Sequence, residues 1–412
     1  MTSLRPQDRQ VKMGVVMSEW KEVKLGDFFK VKHGFAFKGK NISSEETLDI
    51  LVTPGNFHIG GGFKFDKFKY FNGEYPQDYI LKENDIVITM TDLSKETDTL
   101  GYSAKVPKSK NGENYLHNQR VGLVQFKNDD ADSDYLYWLM RTREYQGYIV
   151  GSASGTSIMH TSPSRIEDYQ FLIPPLPEQK AIAEVLSSLD DKIDLLHRQN
   201  KTLEQMAETL FRQWFVEEAK EDWEERSLSS IATFLNGLAC QKYPPKNDVD
   251  KLPVLKIKQL RNGFSEDCDW CTTDVKPEYL IENGDVIFSW SASLMVKIWD
   301  GDNCILNQHL FKVTSDEFPK WYYYLWSKHY LEEFISISAS HATTMGHIKR
   351  GDLDSAIVLV PTDDKITEFS EIQTPIIDKI IANNKQLKKL VSMRETLLPK
   401  LVSGEVKVSI DE

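Results

Sequence analysis

Polar and basic side chains occur in two matching sets along the 412-residue chain, one set in each half. Arg, Lys, Asn, Gln, Ser and Thr are the side chains that hydrogen-bond to base edges and phosphate oxygens. Each segment alone reads as an ordinary polar loop, but two matched sets on a duplicated framework favour recognition of a long polymer. We predict nucleic-acid contacts from Lys38, Lys40, Asn56, His58, Thr91, Asp92, Ser94, Ser154, Thr156 and Ser157 in the first half, and from Gln241, Lys242, Lys258, Gln259, Arg261, Trp290, Ser291, Ser293, His341, Thr343 and Thr344 in the second.

The overall charge is not that of a typical nucleic-acid-binding protein, because the chain carries a formal net charge of −12. The charge is unevenly distributed: residues 20–40 hold six lysines against two acids, a net charge of +4. Salt screens distant charges, so a local basic face matters more to a polyanion than the sum. Charge alone leaves both a nucleic-acid face and an ordinary solvated surface open.

No catalytic motif is recognisable in the chain. Pro174-Pro175 follows Ile173, and Pro244-Pro245 follows Tyr243, so neither pair has the Asn or Asp that an amino-methyltransferase requires before it. Gly60-Gly61-Gly62 lacks the strand and helix context of a cofactor loop and predicts a hairpin turn instead. The chain has no Walker lysine motif and no Gly-x-Ser-x-Gly elbow.

Metal binding is also weakly indicated. Cys268 and Cys271 have zinc-ligand spacing, but no second close pair accompanies them, which favours free thiols in a reducing cytosol. His160 and His347 occupy matching places in the repeat, and we expect a structural position for both at the joint between module and helix. We predict no metal site, no membrane span and a cytoplasmic protein.

The elements that position these two sets of polar residues belong to an internal repeat. Residues 156–215 and 343–402 align without a gap at an offset of 187, and a longer, more variable stretch precedes each copy. We predict an N-terminal tail at 1–17, a first module at 18–173 (module 1), a helical spacer at 174–219, a second module at 220–360 (module 2) and a second helical spacer at 361–412. The predicted fold class is α+β, with two tandem mixed modules and two long helices.

The helical spacers show a heptad pattern of apolar residues, which is typical of a coiled coil. Asn200 and Asn383 place one amide in each seam, where it costs stability and can fix the register. Residues off the seam, such as Leu195 and Met206, require either the modules or a partner to cover them. The predicted seam and docking residues are Leu189, Ile193, Leu196, Asn200, Leu203, Leu210, Trp214, Ile376, Ile380, Asn383, Leu387, Leu390, Leu397 and Leu401.

The start signals place the long helices at about 189–215 and 375–402, each after a separate short helix. Thr374-Pro375 is an N-cap followed by proline at the first helical position, and Ser188 occupies the corresponding place in the first copy. Each helix would span roughly 40 Å at 1.5 Å per residue. Pro399 is expected to bend or end the second helix.

The modules combine strands and helices. The segments 85–91 and 121–126 are predicted as strands by their β-branched content, and 135–143 is predicted as a helix. The second module repeats this order at 283–288 and 321–331. His117-Asn118-Gln119-Arg120 corresponds to Leu306-Asn307-Gln308-His309, so an Asn-Gln pair marks both copies.

Two stretches identify a family resemblance. Pro174-Pro175-Leu176-Pro177-Glu178-Gln179, running on to Phe211-Arg212-Gln213-Trp214-Phe215, closely resembles the central conserved region of type I restriction–modification specificity subunits. The segment from Arg394 to Glu405 is similar to the distal conserved region of the same family. The paired Asn-Gln marks and the Gly-x-x-Phe sequence at Gly34 also fit, so the resemblance covers nearly the whole chain.

The resemblance implies a non-catalytic subunit that recognises a bipartite, asymmetric DNA site. Two target-recognition domains would each read one half, and an antiparallel helical spacer with pseudo-two-fold symmetry would set the gap. The implied partners are double-stranded DNA, two methyltransferase subunits that use S-adenosylmethionine to methylate adenine N6, and two translocase–nuclease subunits that use ATP and Mg²⁺. No cofactor is expected in this chain.

Other functions stay open on the sequence. The chain could be a methyltransferase or nuclease with unrecognised motifs, which methyl transfer by the chain alone would show. It could be a coiled-coil adaptor, for which the assembled complex would lack salt-sensitive DNA binding. An orphan specificity subunit that acts only with methylation partners is a further alternative.

Overall fold

The computed structural model describes residues 19–66, 68–92, 94, 97–155, 158–264, 267–340 and 346–408. The chain folds into two compact units. Unit 1 comprises Met1–Asp191 and Ser392–Glu412, and unit 2 comprises Lys192–Val391. The domain boundaries given above stay a prediction, as does the N-terminal tail, which lies outside the described residues.

Unit 1 is built from short strands, with one short helix between the first two strands and the other helices after the eleventh strand. Its strands are β1 (Lys21–Lys24), β2 (Phe29–His33), β3 (Ile42–Ser43), β4 (Asp49–Val52), β5 (Lys69–Phe71), β6 (Ile80–Leu81), β7 (Ile86–Thr89), β8 (Thr91–Asp92), β9 (Ser103–Lys105), β10 (Asn114–His117), β11 (Val121–Phe126), β12 (Met159–His160) and β13 (Gln170–Ile173). Its helices are α1 (Leu25–Phe28), α2 (Ser133–Leu139), α3 (Arg143–Ser152) and α4 (Pro163–Glu167).

The chain then enters the long helix α5 (Leu176–Arg212), which ends in a π-helical turn at Gln213–Glu217. The strands of unit 2 are β14 (Glu224–Ser227), β15 (Thr233–Asn236), β16 (Lys251–Leu255), β17 (Trp270–Thr272), β18 (Leu280–Ile281), β19 (Val286–Ser289), β20 (Met295–Ile298), β21 (Cys304–Leu306), β22 (Leu310–Thr314) and β23 (Ile357–Val360). The remaining helices are α6 (Leu228–Ile231), α7 (Ile257–Asn262), α8 (Lys320–His329), α9 (Leu331–Ser340), α10 (Arg350–Ser355) and α11 (Asp363–Val402).

The two modules have the same sheet topology. One sheet has the order β2-β11-β7-β9 in module 1 and β15-β22-β19-β20 in module 2. A second sheet has the order β3-β5-β4-β10-β6 in module 1 and β17-β16-β21-β18 in module 2, so module 1 adds one edge strand. The inner pairs β4–β10 and β16–β21 are parallel in both sheets. The internal repeat therefore extends through the modules as well as the helices.

In each module the first and last strands pair with each other, and the core of the module includes side chains of the long helices. In unit 1, β1 pairs with β13, and the core joins Leu25 and Trp138 to Leu186 of α5 and Leu401 of α11. In unit 2, β14 pairs with β23, and the core contains Phe215, Trp321 and Ile380. Burial of these large apolar side chains is the main force that holds each module on its helices.

Every position of the predicted heptad seam in α5 and α11 is buried or half-buried. Within unit 2, Asn383 donates to Asn200 Oδ1 at 2.9 Å, and Gln373 donates to the carbonyl of Ala207 at 3.0 Å. The higher-numbered residue of α5 bonds to the lower-numbered residue of α11, so the two helices are antiparallel there. Off the seam, Phe211 is buried by the module, whereas Leu195 and Met206 stay exposed.

The predicted helix starts were wrong. α5 begins at Leu176 and α11 at Asp363, and each continues without a break through the places where a second helix was expected to begin. Pro375 lies on an exposed side of α11, while Ile376 and Ile377 beside it are buried. Burial of that face outweighs the one backbone hydrogen bond that proline removes. The helix also runs three residues past Pro399.

Two smaller predictions in module 1 also need correction. The helix predicted at 135–143 is two helices, because Thr142 accepts a hydrogen bond from the amide of Tyr145 and starts α3 as its N-cap. The strand predicted at 85–91 ends at Thr89, because the amide of Met90 bonds instead to the carbonyl of Arg120. The strand at Val121–Phe126 and the glycine turn are confirmed. Gly60, Gly61 and Gly62 have φ angles of 83°, 83° and 92°.

Candidate nucleic-acid interface

A short loop follows an inner strand in each module and carries the Asn-Gln pair. This Asn–Gln loop is Asn118–Arg120 in module 1, between β10 and β11, and Asn307–His309 in module 2, between β21 and β22. The buried asparagine closes each turn on itself. Asn118 Oδ1 accepts from the amide of Arg120 at 3.0 Å, and Asn307 Oδ1 accepts from the amide of His309 at 3.4 Å.

The backbone around the two loops is hydrogen-bonded in the same way. In module 1, the amide of Phe35 donates to His117, and the carbonyl of Phe35 accepts from Gln119 (2.8 and 3.0 Å). In module 2, Leu238 makes the matching bonds to Leu306 and Gln308 (2.9 and 2.8 Å). The loop is thus fixed in both copies by the segment that follows the second strand of the module, β2 or β15.

This close approach requires glycine at one position. A Cβ at Gly34 would lie 2.1 Å from the Asn118 carbonyl oxygen, and a Cβ at Gly237 would lie 2.3 Å from that of Asn307. Such distances are far inside van der Waals contact, so any other residue would push the two segments apart. Steric exclusion of a Cβ atom therefore explains why the Gly-x-x-Phe sequence has glycine at its first position.

In each module, a histidine also pairs with a residue that follows the strand β7 or β19. His160 pairs with Thr91 across β12–β8, and His347 forms the matching isolated bridge with Ser291. His160 Nδ1 also lies 3.1 Å from Thr91 Oγ1. Both histidines take part in a backbone pairing, as expected for structural positions, although both imidazoles are exposed. We call the Asn–Gln loop, the glycine and this histidine pairing the polar edge of each module.

The side chains that the polar edge exposes differ between the modules. Gln119 and Arg120 are exposed in module 1, whereas module 2 has half-buried Gln308 and exposed His309. His309 Nδ1 lies 3.4 Å from Ser291 Oγ, within hydrogen-bond distance. The same backbone therefore presents an arginine in one module and an imidazole in the other.

The strand residue beside the loop also differs. Met90 is buried in module 1, while Trp290 in module 2 is half-buried and stacks on Phe311 with ring centroids 5.6 Å apart. The Trp290 indole N–H donates to Asn236 Oδ1 at 3.2 Å, and its ring lies 6.0 Å from that of His309. Module 2 thus adds an aromatic surface to its polar edge.

The predicted contact residues of module 1 separate into exposed and internal groups. Lys38, Lys40, His58 and Ser154 are exposed, and Lys38 and Lys40 have no ion-pair partner among the described residues. Asn56 is buried, and its side-chain oxygen accepts from the amide of Thr53 at 2.9 Å, so it shapes its own loop. Thr156 and Ser157 lie outside the described residues.

Asp92 also has an internal role. Its carboxylate accepts from the amides of Ser94 and Thr99 at 2.7 Å each and from the Thr99 hydroxyl at 2.7 Å. Burial alone would raise the pKa of Asp92, but these hydrogen bonds outweigh it and hold the pKa below its usual value. Thr91 is buried beside it, and Ser94 is half-buried in the same turn. These residues position the strand end of the polar edge.

In module 2, acids neutralise part of the predicted basic surface. Lys258 pairs with Asp267 at 3.0 Å on the exposed surface, and Lys256 pairs with Asp269. Gln241, Lys242 and Arg261 are exposed, Ser293 is half-buried, and Gln259 and Ser291 are buried. His341, Thr343 and Thr344 lie outside the described residues.

Sequence reasoning recognised the Asn-Gln pair as a shared mark but did not include Gln119, Arg120, Gln308 or His309 among the candidate contact residues. The available signal was the pair itself, followed in each copy by a residue of a different type. If two modules used the same support for two different recognition surfaces, we would expect a repeated motif with a variable neighbouring residue. The Asn-Gln pair has this pattern.

Cys240, Cys271 and Cys304 are buried in the core of module 2, whereas Cys268 is half-buried. Cys240 and Cys271 are buried in one cluster with Val254 and Ile305, and burial raises the pKa of the Cys240 thiol to about 12. Within the described ranges, no group of three or more His, Cys, Asp or Glu side chains is arranged to hold a metal ion. In the same part of the chain, no helix is both long and apolar enough to cross a membrane.

Two similar modules, each packed on long helices and each with a polar edge, define a duplicated recognition protein. The family model described as the type I restriction modification DNA specificity domain matches residues 17–205 and 220–392. These two matches cover most of the chain, so the chain belongs to this family. Each match includes one module and much of the helix that follows it.

Individual relatives agree with the family assignment. The chain is 24% identical to the type I restriction enzyme MjaVIII specificity subunit of Methanocaldococcus jannaschii, over 95% of this chain and 94% of that protein. It is 21% identical to the HindI specificity subunit of Haemophilus influenzae, over 95% of this chain and all of that protein. The crystal structure of the type I S subunit from M. genitalium has the same fold, with a TM-score of 0.59, 14% identity and coverage of 95% and 98% of the two chains.

Proposed function

We propose that this chain is the sequence-specific DNA-recognition subunit of a type I restriction–modification complex. Each module reads one half of a bipartite, asymmetric site, and the paired helices set the gap between the halves. The observation that carries this proposal is the duplication of an entire module, with matching sheet orders, on antiparallel helices. A duplicated frame with different exposed side chains suits a site whose two halves differ.

The same proposal assigns the chemistry to partner subunits. Two methyltransferase subunits, which use S-adenosylmethionine, would dock on the helices and methylate adenine N6. Two translocase–nuclease subunits would supply cleavage with ATP and Mg²⁺. The exposed apolar side chains of Leu195 and Met206 on α5 support helix docking, because a partner would remove them from water. This chain would contribute recognition and no catalytic group.

The experiment is methylome sequencing of cells that express the chain with its methyltransferase partner, before and after the helices are shortened. Removal of residues 197–203 and 380–386 deletes one heptad from each helix and keeps the apolar register. Each helix loses about 10.5 Å, which corresponds to roughly three base pairs of DNA. The gap in the methylated motif is expected to shorten by about that amount while both half-sites stay the same.

A length-neutral control carries Lys201→Ala and Lys385→Ala, two exposed changes on the same helices. It is expected to keep the original gap. An unchanged gap in the shortened variant would show that the helices do not set the spacing. No methylated split motif from the parent chain, with a partner shown to be active, would contradict the recognition function itself.

A further inference from the structure

The two Asn–Gln loops have nearly the same backbone but present different side chains. Each loop is fixed by two backbone hydrogen bonds to the segment after its glycine and by its own asparagine. A loop held in this way loses little conformational entropy when it binds a ligand. What varies between the modules is the chemistry at the two loop positions. These are exposed Gln119 and Arg120 in module 1, and half-buried Gln308 and exposed His309 in module 2, where Gln308 Nε2 lies 3.4 Å from His309 Nε2.

The exposed side chains are suited to base edges. Glutamine can bond to adenine N6 and N7 together, and the arginine fork matches guanine O6 and N7 in the major groove. The Arg120 side chain makes no hydrogen bond or ion pair within the described part of the chain, while its backbone is held at both the amide and the carbonyl. Its guanidinium is therefore exposed on a rigid support, with no internal bond to break before it binds.

Neighbouring charges favour a polyanion at the module 1 loop. The segment that follows Gly34 carries Lys38 and Lys40, both exposed and without an acidic partner among the described residues. In module 2, the matching segment after Gly237 carries exposed Gln241 and Lys242. Phosphate contacts from these segments would place the Asn–Gln loop against the duplex without reading its sequence.

We propose that Gln119 and Arg120 of module 1, and Gln308 and His309 of module 2, contact base edges, and that the Arg120/His309 difference helps to make the two half-sites unlike. This inference rests on the DNA-recognition function proposed above. The shared glutamine would read a feature common to both halves, such as adenine. Arg120 would select guanine in the half read by module 1.

The test uses the full chain in complex with its methyltransferase partner. The methylated motif is determined for the parent chain and for Arg120→Ala, and binding of each purified complex is measured on duplexes with single base changes. Arg120→Ala is expected to reduce discrimination at one guanine position of one half-site by about tenfold to a hundredfold, the range for a bidentate contact. The other half-site is expected to stay unchanged.

Further variants separate base reading from charge and from folding. Arg120→Lys keeps the charge without the fork, so it is expected to lose base discrimination while keeping the salt dependence of binding. His309→Arg is expected to create a guanine preference in the opposite half-site. The control Arg143→Ala removes an exposed arginine of module 1 that lies on α3 and outside the Asn–Gln loop, and is expected to leave the motif intact.

The outcomes are distinguishable. Unchanged base discrimination in Arg120→Ala or Arg120→Lys, with the parent complex active on a split motif, would overturn the inference and leave the proposed function standing. The same change in both half-sites from one substitution would also overturn it. Absence of any split motif for the parent chain would contradict the proposed function and, with it, this inference.

Discussion

The two modules share a polar edge but are held to their helices by different interactions. In module 1, Arg141 is almost completely buried, with 3% of its side chain exposed. Its guanidinium donates to the carbonyls of Gly60 and Gly61 at 2.9 and 3.2 Å and to Asp190 of α5 at 2.7 Å. Asp190 also pairs with Arg394 of α11. One buried arginine thus joins the glycine hairpin to the helices of unit 1.

In module 2, the corresponding positions have different residues and form different contacts. Lys328 lies 187 residues after Arg141 and pairs with Glu208 of α5, with Glu204 at 4.0 Å. Both glutamates are 45% exposed. The positions that match Asp190 and Arg394 are Ile377 and Ala207, which are buried in the apolar core of unit 2. The joint of module 2 is therefore mainly apolar, and its ion pair is partly exposed, with Lys328 at 21% and Glu208 at 45% exposure.

The comparison shows that equivalent positions in the two modules can hold module and helix together either by ion pairs or by apolar packing. A buried charge is tolerable only while its partners remain, whereas an exposed ion pair contributes little. We therefore expect the joint of module 1 to depend strongly on each of its members, and the joint of module 2 to depend less on Lys328, because its carboxylate partners are 45% exposed. This difference can be tested by substitutions at matched positions.

Arg141→Ala is expected to have the largest effect, a loss of about 3–5 kcal/mol in the free energy of unfolding. The substitution leaves Asp190 with one cation fewer and removes the donor from two carbonyls of the glycine hairpin. Denaturant unfolding gives the free energy, and hydrogen exchange at residues 57–63 reports whether the hairpin opens.

Lys328→Ala is the matched control in module 2. It is expected to cost about 1 kcal/mol or less, because its acidic partners are solvated. Equal losses from the two substitutions would contradict the distinction between the buried arginine of module 1 and the partly exposed ion pair of module 2.

The shared polar edge should respond equally in both modules. Gly34→Ala and Gly237→Ala each place a Cβ against a backbone oxygen, at 2.1 and 2.3 Å. Each is expected to destabilise its unit by about 1–3 kcal/mol, the usual cost of forced overpacking. Thermal unfolding of the two variants measures this, with Gly39→Ala as the control because a Cβ there meets no atom within 4 Å. A large effect in one module alone would show that the two frames are not equivalent.

Sequence patterns identified the features that depend on periodicity. The heptad seam was predictable because packing along a helix repeats every 3.5 residues, and the Asn383–Asn200 bond joins two of its predicted positions. The helix starts were not predictable, because Thr374-Pro375 is a strong local signal that burial of Ile376 and Ile377 overrides. Local propensity carries no information about the tertiary face that a residue will occupy.

The polar edge was only partly predictable for a similar reason. Both Asn56 and Gln119 are polar loop residues, but Asn56 bonds within its loop and Gln119 is exposed. The direction of each side chain depends on backbone contacts between distant segments, such as Phe35 with His117 and Gln119. The Arg141 network was likewise hidden, since Gly60, Arg141, Asp190 and Arg394 are far apart in the sequence.

A smaller loss than that of Arg141→Ala is expected when the charged joint of module 1 is replaced by apolar residues, as at the matching positions Ile377 and Ala207 of module 2. Arg141→Met, Asp190→Ile and Arg394→Ala together remove all three charges and supply apolar volume at the position of Asp190. The combined variant is expected to lose about 1–2 kcal/mol, less than Arg141→Ala alone, because no half-buried carboxylate is left without its cation. Denaturant unfolding of the single and combined variants gives this coupling directly. A combined loss as large as the sum of the single losses would contradict the argument.

Acid unfolding separates the charged joint from the apolar one. Burial alone would raise the pKa of Asp190, but Arg141 and Arg394 outweigh burial and hold it below the usual value. The stability that Asp190 contributes is therefore present above about pH 4, the ordinary aspartate pKa, and is lost as the pH falls through the lowered value. Over that range the parent chain is expected to lose up to about 1.4 kcal/mol per pH unit more than the combined variant. Parallel stability curves for the two chains below pH 4 would show that Asp190 carries no such charge-dependent contribution.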